Sequence, residues 1–159
     1  MVAITLPDGS VRNFEGPITG TELAADIGPG LAKAALAVRV GDEMLDLSTL
    51  FDVDTAVSIV TSGDDGALEL LCHDTAHLLA EAVLEMYPGA QVTIGPSIEN
   101  GFYYDFSLDT PFTPEDLEKI EVRMHEIVER DEVITREVWT RSDAIEYFKK
   151  GGQSYKVEL

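Results

Sequence analysis

Cysteine, basic residues and long apolar runs are all scarce in this chain of 159 residues. The single cysteine, Cys72, excludes an internal disulfide and fits a reducing compartment. No apolar run approaches the roughly 20 residues of a membrane-spanning helix, and no basic stretch at the N-terminus leads into an apolar one. We therefore expect a soluble, cytoplasmic protein with no membrane partner.

The scarcity of basic residues gives the chain a strongly acidic balance, with a formal net charge of −19. Residues 1–118 hold 3 basic and 21 acidic residues, whereas residues 119–159 hold 8 basic and 9 acidic residues. Because phosphate contacts supply most of the non-specific affinity for nucleic acids, an acidic surface repels them at long range. The chain alone is expected to bind RNA or DNA weakly or not at all.

Apolar residues make up 45 % of the chain, enough for the core of one domain or of two small ones. The elements of residues 2–60 are predicted from turn signals, from a capping-box spacing between Thr19 and Glu22, and from apolar periodicity. They are a hairpin of strands 2–6 and 11–14 around Pro7-Asp8-Gly9-Ser10, a helix that follows Thr19 and ends at Gly28, and strands at 36–40, 44–45 and 57–60. This order predicts a compact α+β unit.

The polar segment 61–66 contains two glycines and marks the predicted boundary between domains at 1–62 and 67–159. The elements predicted beyond it are a helix at 67–87, strands at 92–94 and 102–106, a helix from Pro114 to about Arg130, a strand at 133–140, a helix capped by Ser142 and ending at Lys150, and a strand starting at Tyr155. Because a natural domain rarely stops in mid-strand, the sequence favours a truncated chain.

Two histidines, His73 and His77, lie one turn apart on the helix predicted at 67–87. They fall opposite the main apolar stripe, on a mixed face that another element should cover. The stripe contains Leu68, Leu71, Thr75, Leu78, Leu79, Ala82 and Met86; the solvated flank contains Asp74, Glu81 and Glu85; the mixed face also contains Leu70, Ala80 and Leu84. Imidazoles at this spacing can bind one metal ion, or act as acid, base or hydrogen-bond donor.

The spacing alone supports equally well two histidines that only hydrogen-bond within the fold. The zinc-protease signature His-Glu-x-x-His is absent because Asp74 takes its second position. Two ligands are too few for a catalytic zinc ion and no third is evident nearby in sequence, which counts against a zinc hydrolase. Cys72 is expected in the core, and His125, in a charged helical run, is expected to be solvated and is given no role.

Several short segments, spread along nearly the whole chain, occur in an order and spacing that are informative when they are taken together. They are Ile4–Ser10, Asp26–Ala34, His73-x-x-Ala76-His77-Leu78-Leu79, Ile94-Gly95-Pro96, Asn100–Asp105, Glu115-Asp116-Leu117 and Ser154-Tyr155-Lys156-Val157. In this order and spacing they resemble the N-terminal region of bacterial threonyl-tRNA synthetases. The resemblance implies a TGS domain, a β-grasp module, at 1–62. At 67–159 it implies part of an editing domain, which hydrolyses serine mischarged onto threonine tRNA.

The resemblance also assigns the editing residues to His73, His77, Tyr104 and Lys156, with no cofactor or metal in this chain. Taken by themselves, an aromatic in a strand is more often core and a lone lysine more often solvated, so the roles of Tyr104 and Lys156 come from the resemblance. A later Cys-x-x-x-His element that completes the family's pocket is missing here. The isolated chain is therefore expected to hydrolyse poorly or not at all.

The ligase core, with its ATP, zinc and threonine sites, and the anticodon-binding domain are expected further along the parent enzyme. The parent is expected to be a homodimer that holds threonine tRNA, and this chain alone a monomer. One alternative is a stand-alone binding module, built on the TGS domain and without catalysis. The sequence has no glycine-rich phosphate loop, so nucleotide binding by this chain is not predicted.

Overall fold

Residues 1–135 and 137–158 are described in the computed structural model of this protein. They form two units, unit 1 at Met1–Leu68 and unit 2 from Glu69 onward. Within the described residues, no helix is both long enough and apolar enough to cross a membrane. The predicted α+β class is confirmed.

Unit 1 is built from short strands and two helices, and its predicted hairpin is confirmed. In chain order the elements are β1 (Val2–Thr5), β2 (Val11–Phe14), β3 (Ile18–Thr19), α1 (Gly20–Ile27), α2 (Pro29–Ala34), β4 (Ala35–Val40), β5 (Glu43–Leu45), β6 (Leu50–Phe51), β7 (Thr55–Ala56) and β8 (Ser58–Thr61). The helix α2 was not expected, because Gly28-Pro29-Gly30 was interpreted only as a stop; Pro29 instead starts the new helix, where its missing N–H costs nothing.

The extended segment 55–61 links the two larger sheets of unit 1. Strand β7 pairs in parallel with β1, which also pairs with β2, and β8 pairs antiparallel with β4, which also pairs with β5. Between β7 and β8, Val57 donates its N–H to the carbonyl of Thr5 at 3.0 Å and buries its side chain. Strands β3 and β6 pair separately.

Helix α1 packs against the strands of unit 1 and begins with the predicted capping box. The Thr19 hydroxyl accepts from the Glu22 N–H at 3.2 Å, and the Glu22 carboxylate accepts from the Thr19 N–H at 2.9 Å. Leu23 from this helix is fully buried in a core otherwise supplied by Val2, Ile4, Ile18, Val38, Phe51 and Val57. The predicted cap is therefore confirmed, and so is the apolar face that follows it.

Unit 2 has a long helix packed on a second helix, with short strands beside them. In chain order the elements are α3 (Ala67–Met86, its first two residues lying in unit 1), β9 (Gln91–Val92), β10 (Ser97–Ile98), β11 (Gly101–Phe102), β12 (Phe106–Ser107), α4 (Pro114–Glu129), α5 (Arg141–Lys150) and α6 (Ser154–Glu158). Strand β9 pairs antiparallel with β12, and β10 with β11. The predicted helices at 67–87 and 114–130 are confirmed.

The core of unit 2 lies between α3 and α4. Ala82 and Val83 of α3 are buried with Ile120 and Ile127 of α4, and Ala90 is the fifth buried residue of this cluster. The predicted apolar stripe of α3 is wrong at its start, because Leu68 and Leu71 are exposed. The buried residues of α3 instead include Ala76, Ala80 and Val83, which the predicted stripe did not contain.

The predicted strand at 133–140 is wrong over residues 133–135 and 137–140, which form no regular secondary structure; Arg136 lies outside the described residues. Val133, Ile134 and Val138 have 88, 97 and 78 % of their surface exposed. They have the composition of a strand, but a strand also needs a neighbour to take its backbone hydrogen bonds. No such neighbour is present within the described part of unit 2.

Three smaller predictions in unit 2 are corrected. The aromatic strand at 102–106 is split into β11 and β12, and the helix ending at Lys150 is capped by Thr140, whose hydroxyl accepts from the Asp143 N–H at 3.2 Å, and not by Ser142. The strand predicted from Tyr155 is the helix α6, although its last predicted residue, Leu159, lies outside the described residues.

Candidate functional site

The two histidines of α3 contact each other directly. Their Nε2 atoms are 3.1 Å apart, and the rings meet edge to face with centroids 4.6 Å apart. A hydrogen bond between two ring nitrogens needs one nitrogen that carries hydrogen and one that does not. The pair therefore holds a single hydrogen between its two Nε2 atoms, with one nitrogen donating it and the other accepting it.

The imidazole of His77 is held towards its neutral form. Its pKa lies below the ordinary value of 6.5, mainly because neighbouring atoms remove water from the charged ring, although the residue as a whole is exposed. The neighbouring His73 lowers the pKa further and so does Lys156, whereas Asp74 opposes them by favouring the charged ring. A neutral imidazole at neutral pH can accept a proton, as a general base must.

An open groove of about 610 Å³ runs beside this histidine in unit 2. Its lining residues are His77, Ala80, Glu81, Leu84, Glu85, Val92, Tyr104, Phe148 and Lys156. The structure thus places three of the four residues predicted for the site, His77, Tyr104 and Lys156, around one cavity. The fourth, His73, is not part of the lining and reaches the groove through its contact with His77.

The ring of Tyr104 has two close neighbours. It stacks on Phe106, with ring centroids 4.7 Å apart and planes 18° from parallel. It also lies so close to Gly95 that a Cβ there would stand 2.1 Å from its Cδ2 atom. Burial raises the pKa of the phenol above 10.0, so the group remains a hydrogen-bond donor at neutral pH.

Lysine 156 enters the groove from α6, the short helix that packs on β9. Its side chain is half-buried, which contradicts the expectation for an isolated lysine that it would be fully solvated. An ammonium group beside a neutral imidazole and a protonated phenol gives the groove several hydrogen-bond donors. Such donors stabilise negative charge that develops on an oxygen atom during a reaction.

Arginines of α4 neutralise the acidic flank of the groove. Arg130 binds the Glu85 carboxylate with both guanidinium nitrogens, at 2.6 and 2.8 Å, and reaches Glu81 at 3.9 Å. The pKa of Glu85 is lowered, chiefly by the hydrogen bond from Arg130. Both glutamates were predicted at the solvated flank of α3, and they are exposed; the arginine partner could not be inferred, since it comes from a distant part of the chain.

Residues 1–135 and 137–158 contain no cluster of three or more His, Cys, Asp and Glu side chains arranged to hold a metal ion. Cys72 is half-buried and not fully in the core, and His125 is exposed on α4 as expected. The groove is lined by an imidazole, a phenol and an ammonium group, which can take part in acid–base and hydrogen-bonding chemistry.

Comparison with known proteins identifies both the first unit and the whole chain. The family model described as "TGS domain" matches residues 2–61. Over all 159 residues the chain is 65 % identical to a threonine–tRNA ligase of Rhodospirillum rubrum and 60 % identical to that of Granulibacter bethesdensis. The chain is thus similar along its whole length to the N-terminal region of threonine–tRNA ligases. It spans about 25 % of the length of these ligases.

The groove in unit 2 also depends on residues that the sequence did not single out. Gly95 lies in one of the segments that carry the resemblance, but its role as a surface for Tyr104 depends on packing. Gln91 and Gln153 hold α6 against β9 through side-chain hydrogen bonds across 61 to 63 residues of chain. No local pattern signals such long-range contacts.

Proposed function

We propose that unit 2 supplies one wall of a hydrolytic site that removes serine from mischarged threonine tRNA, within a longer threonine–tRNA ligase. In this assignment, residues 1–62 are the TGS domain and residues 67–159 are part of the editing domain. The observation that carries the proposal is the groove itself, where His77, Tyr104 and Lys156 converge and His73 contacts His77.

A ligase for threonine needs such a second site because serine is the smaller substrate. A synthetic pocket that accommodates threonine also admits serine, and losing one methyl contact costs only about 1–3 kcal/mol of discrimination. A separate site that hydrolyses the wrong ester raises accuracy without a tighter synthetic pocket. An open groove that presents an acceptor nitrogen and two donors has the chemistry for ester hydrolysis.

The roles proposed for the side chains follow from their protonation states. Neutral His77 accepts a proton from a water molecule as the water oxygen attacks the carbonyl carbon of the serine ester. The phenol of Tyr104 and the ammonium of Lys156 donate hydrogen bonds to the oxygen on which negative charge develops. The bond to the ribose oxygen then breaks, that oxygen takes the proton from His77, and serine and tRNA leave.

The isolated chain is proposed to hold this site in incomplete form. The groove is open, and the resemblance places a further Cys-x-x-x-His element later in the parent enzyme. The described residues do not fit a metal site, so the zinc, ATP and threonine chemistry of ligation is assigned to the rest of the enzyme. The rest of the enzyme must also hold the tRNA, since this chain carries a net charge of −19.

The proposal is tested with Ser-tRNA(Thr) and a full-length ligase that contains this sequence. Replacing His77 with alanine removes the base and should lower the hydrolysis rate by about 100-fold or more. The matched control is His125→Ala, which removes an exposed histidine of α4 from the same unit and should leave the rate unchanged. Hydrolysis by the His77→Ala enzyme at the wild-type rate would refute the proposed role.

The incompleteness of the isolated chain has its own test. The purified 159-residue chain is expected to release serine from Ser-tRNA(Thr) hardly faster than buffer does. Rapid release by this chain that disappears in its His77→Ala variant would contradict the assignment of a missing wall. That result would still support the hydrolytic role of the groove.

A further inference from the structure

The helix that carries Lys156 is attached to β9 by two glutamine side chains. Gln153 accepts a hydrogen bond from the Val92 N–H at 3.1 Å and donates one from Nε2 to the Ala90 carbonyl, also at 3.1 Å. In return, the Gln91 side chain accepts from the N–H and the hydroxyl of Ser154, at 2.9 and 3.2 Å. These four bonds, here called the glutamine clamp, join two segments more than 60 residues apart in sequence.

The glutamine clamp determines where α6 lies, because this helix is very short. A helix of five residues has little stability of its own, so its position depends on contacts with the rest of the unit. Gln91 binds an N–H in the first turn of α6, where helical N–H groups lack partners within the helix. Gln153 directly precedes the first residue of α6, and Lys156 is the third residue of that helix.

The two bonds of Gln153 require a side chain that donates and accepts at the same time. A glutamate at this position could accept from Val92 but could not donate to the Ala90 carbonyl, and a methionine of similar length could do neither. Both bonds are partly buried, so a missing partner would leave a backbone group unpaired. The side-chain amide of Gln153 is therefore suited to pair with both the Val92 N–H and the Ala90 carbonyl.

We propose that Gln153, supported by Gln91, is a positioning residue for the editing reaction: the glutamine clamp holds α6 so that the ammonium of Lys156 faces His77 across the groove. This inference rests on the proposed hydrolytic function. The geometry separates the two roles, since Gln153 bonds to the backbone of β9 and Lys156 lines the cavity. Loss of the clamp should release Lys156 without removing any reacting group.

The first test needs no hydrolysis and uses the 159-residue chain. The charged or titratable groups around His77 are His73, Asp74, Glu81, Glu85, Tyr104 and Lys156. If Lys156 moves away, protonation of His77 becomes easier and its pKa rises. Titration of the imidazole C–H resonances by NMR should show the same upward shift in the Gln153→Met and Lys156→Met variants.

Two controls accompany the titration. His125, which is exposed on α4 and does not line the groove, should titrate identically in all variants. Lys150→Met removes an equal charge from an exposed lysine paired with Glu146, and it should leave His77 unchanged. A wild-type pKa of His77 in either the Gln153→Met or the Lys156→Met chain would overturn the inference, because the clamp would then not control a lysine that His77 senses.

The second test measures Ser-tRNA(Thr) hydrolysis by the full-length ligase with Gln153→Met, Lys156→Met and both changes together. If Gln153 acts only through Lys156, the Gln153→Met substitution should slow the wild-type enzyme. The same substitution should cause no further loss of rate in an enzyme that already carries Lys156→Met. Losses that multiply in the double variant would indicate a general structural effect and would contradict the inference. If hydrolysis proves independent of His77, the proposed function fails while the NMR result still decides the clamp.

Discussion

At the scale of single residues, the protonation state of His77 determines what the groove can do. The imidazole acts as a base only when neutral, and its pKa lies below 6.5 because burial and His73 disfavour the charged ring. Hydrolysis is therefore expected to fall to half of its maximal rate only at a pH below 6.5. The measurement is the pH dependence of kcat/KM for Ser-tRNA(Thr) with the full-length ligase.

The same profile should be found with the His125→Ala enzyme, because that histidine is exposed on α4 and does not line the groove. A rate that halves at pH 6.5 or above would show that the catalytic base is not a histidine with a lowered pKa. The assignment of His77 as this base would then be wrong.

Glycine 95 provides a second test at the residue scale. A methyl group at this position would overlap the ring of Tyr104, with 2.1 Å between the new carbon and Cδ2. We expect Gly95→Ala to displace the phenol, to slow hydrolysis as much as Tyr104→Phe does, and to cost about 1–3 kcal/mol of stability through overpacking. Deacylation rates and denaturant titrations measure the two effects.

The control for this change is Gly63→Ala, since no atom lies within 4 Å of a Cβ at that position. It should alter neither rate nor stability measurably. Wild-type hydrolysis by the Gly95→Ala enzyme would show that the position of the Tyr104 ring does not matter for the reaction.

Sequence patterns identified the groove residues only in part. The i, i+4 spacing placed His73 and His77 side by side, as the structure has them, but left a metal site, an acid–base pair and a structural pair equally open. Tyr104 and Lys156 were assigned by the family resemblance alone. Gly95, Gln91 and Gln153 could not be predicted, because their roles depend on atoms from distant segments that happen to meet.

At the scale of elements, local signals were reliable where the interaction is itself local. Both Thr19 and Thr113 cap their helices with the carboxylate three residues on, as their spacing predicts. The strand at 133–140 was wrongly predicted because β-branched composition says nothing about a pairing partner. The main stripe of α3 was misplaced at Leu68 and Leu71, since the side that is buried depends on what packs against the helix.

Helix α4 gives a prediction about the packing that holds α3 in place. Ile120 is 2 % exposed in the core between the two helices, whereas Val122 on the same helix is 58 % exposed. We expect Ile120→Ala to lower the free energy of unfolding of unit 2 by about 2–5 kcal/mol, because it leaves a cavity. Val122→Ala should change it by less than about 0.5 kcal/mol.

Chemical denaturation followed by the circular dichroism of the helices measures both variants. Equal effects of the two substitutions would contradict the assignment of the core to the contact between α3 and α4. A loss confined to Ile120→Ala would support it, and should be accompanied by slower deacylation, since α3 carries both histidines.

At the scale of the whole molecule, charge limits what the isolated chain can do with tRNA. A net charge of −19 opposes phosphate binding, and the 11 lysines and arginines are few and often paired with carboxylates. We expect no measurable binding of threonine tRNA to the 159-residue chain at 0.1 M salt, as checked by fluorescence anisotropy. Tight binding that weakens steeply with salt would contradict this expectation.

The central claim is that the groove beside the histidine pair hydrolyses the wrong ester and takes no part in making the right one. The most direct measurement compares two rates in one preparation of the full-length ligase carrying His73→Ala and His77→Ala. The account predicts that hydrolysis of Ser-tRNA(Thr) is lost while the rate of threonylation of tRNA stays at the wild-type value. Full hydrolysis in this double variant, or loss of both rates together, would contradict it.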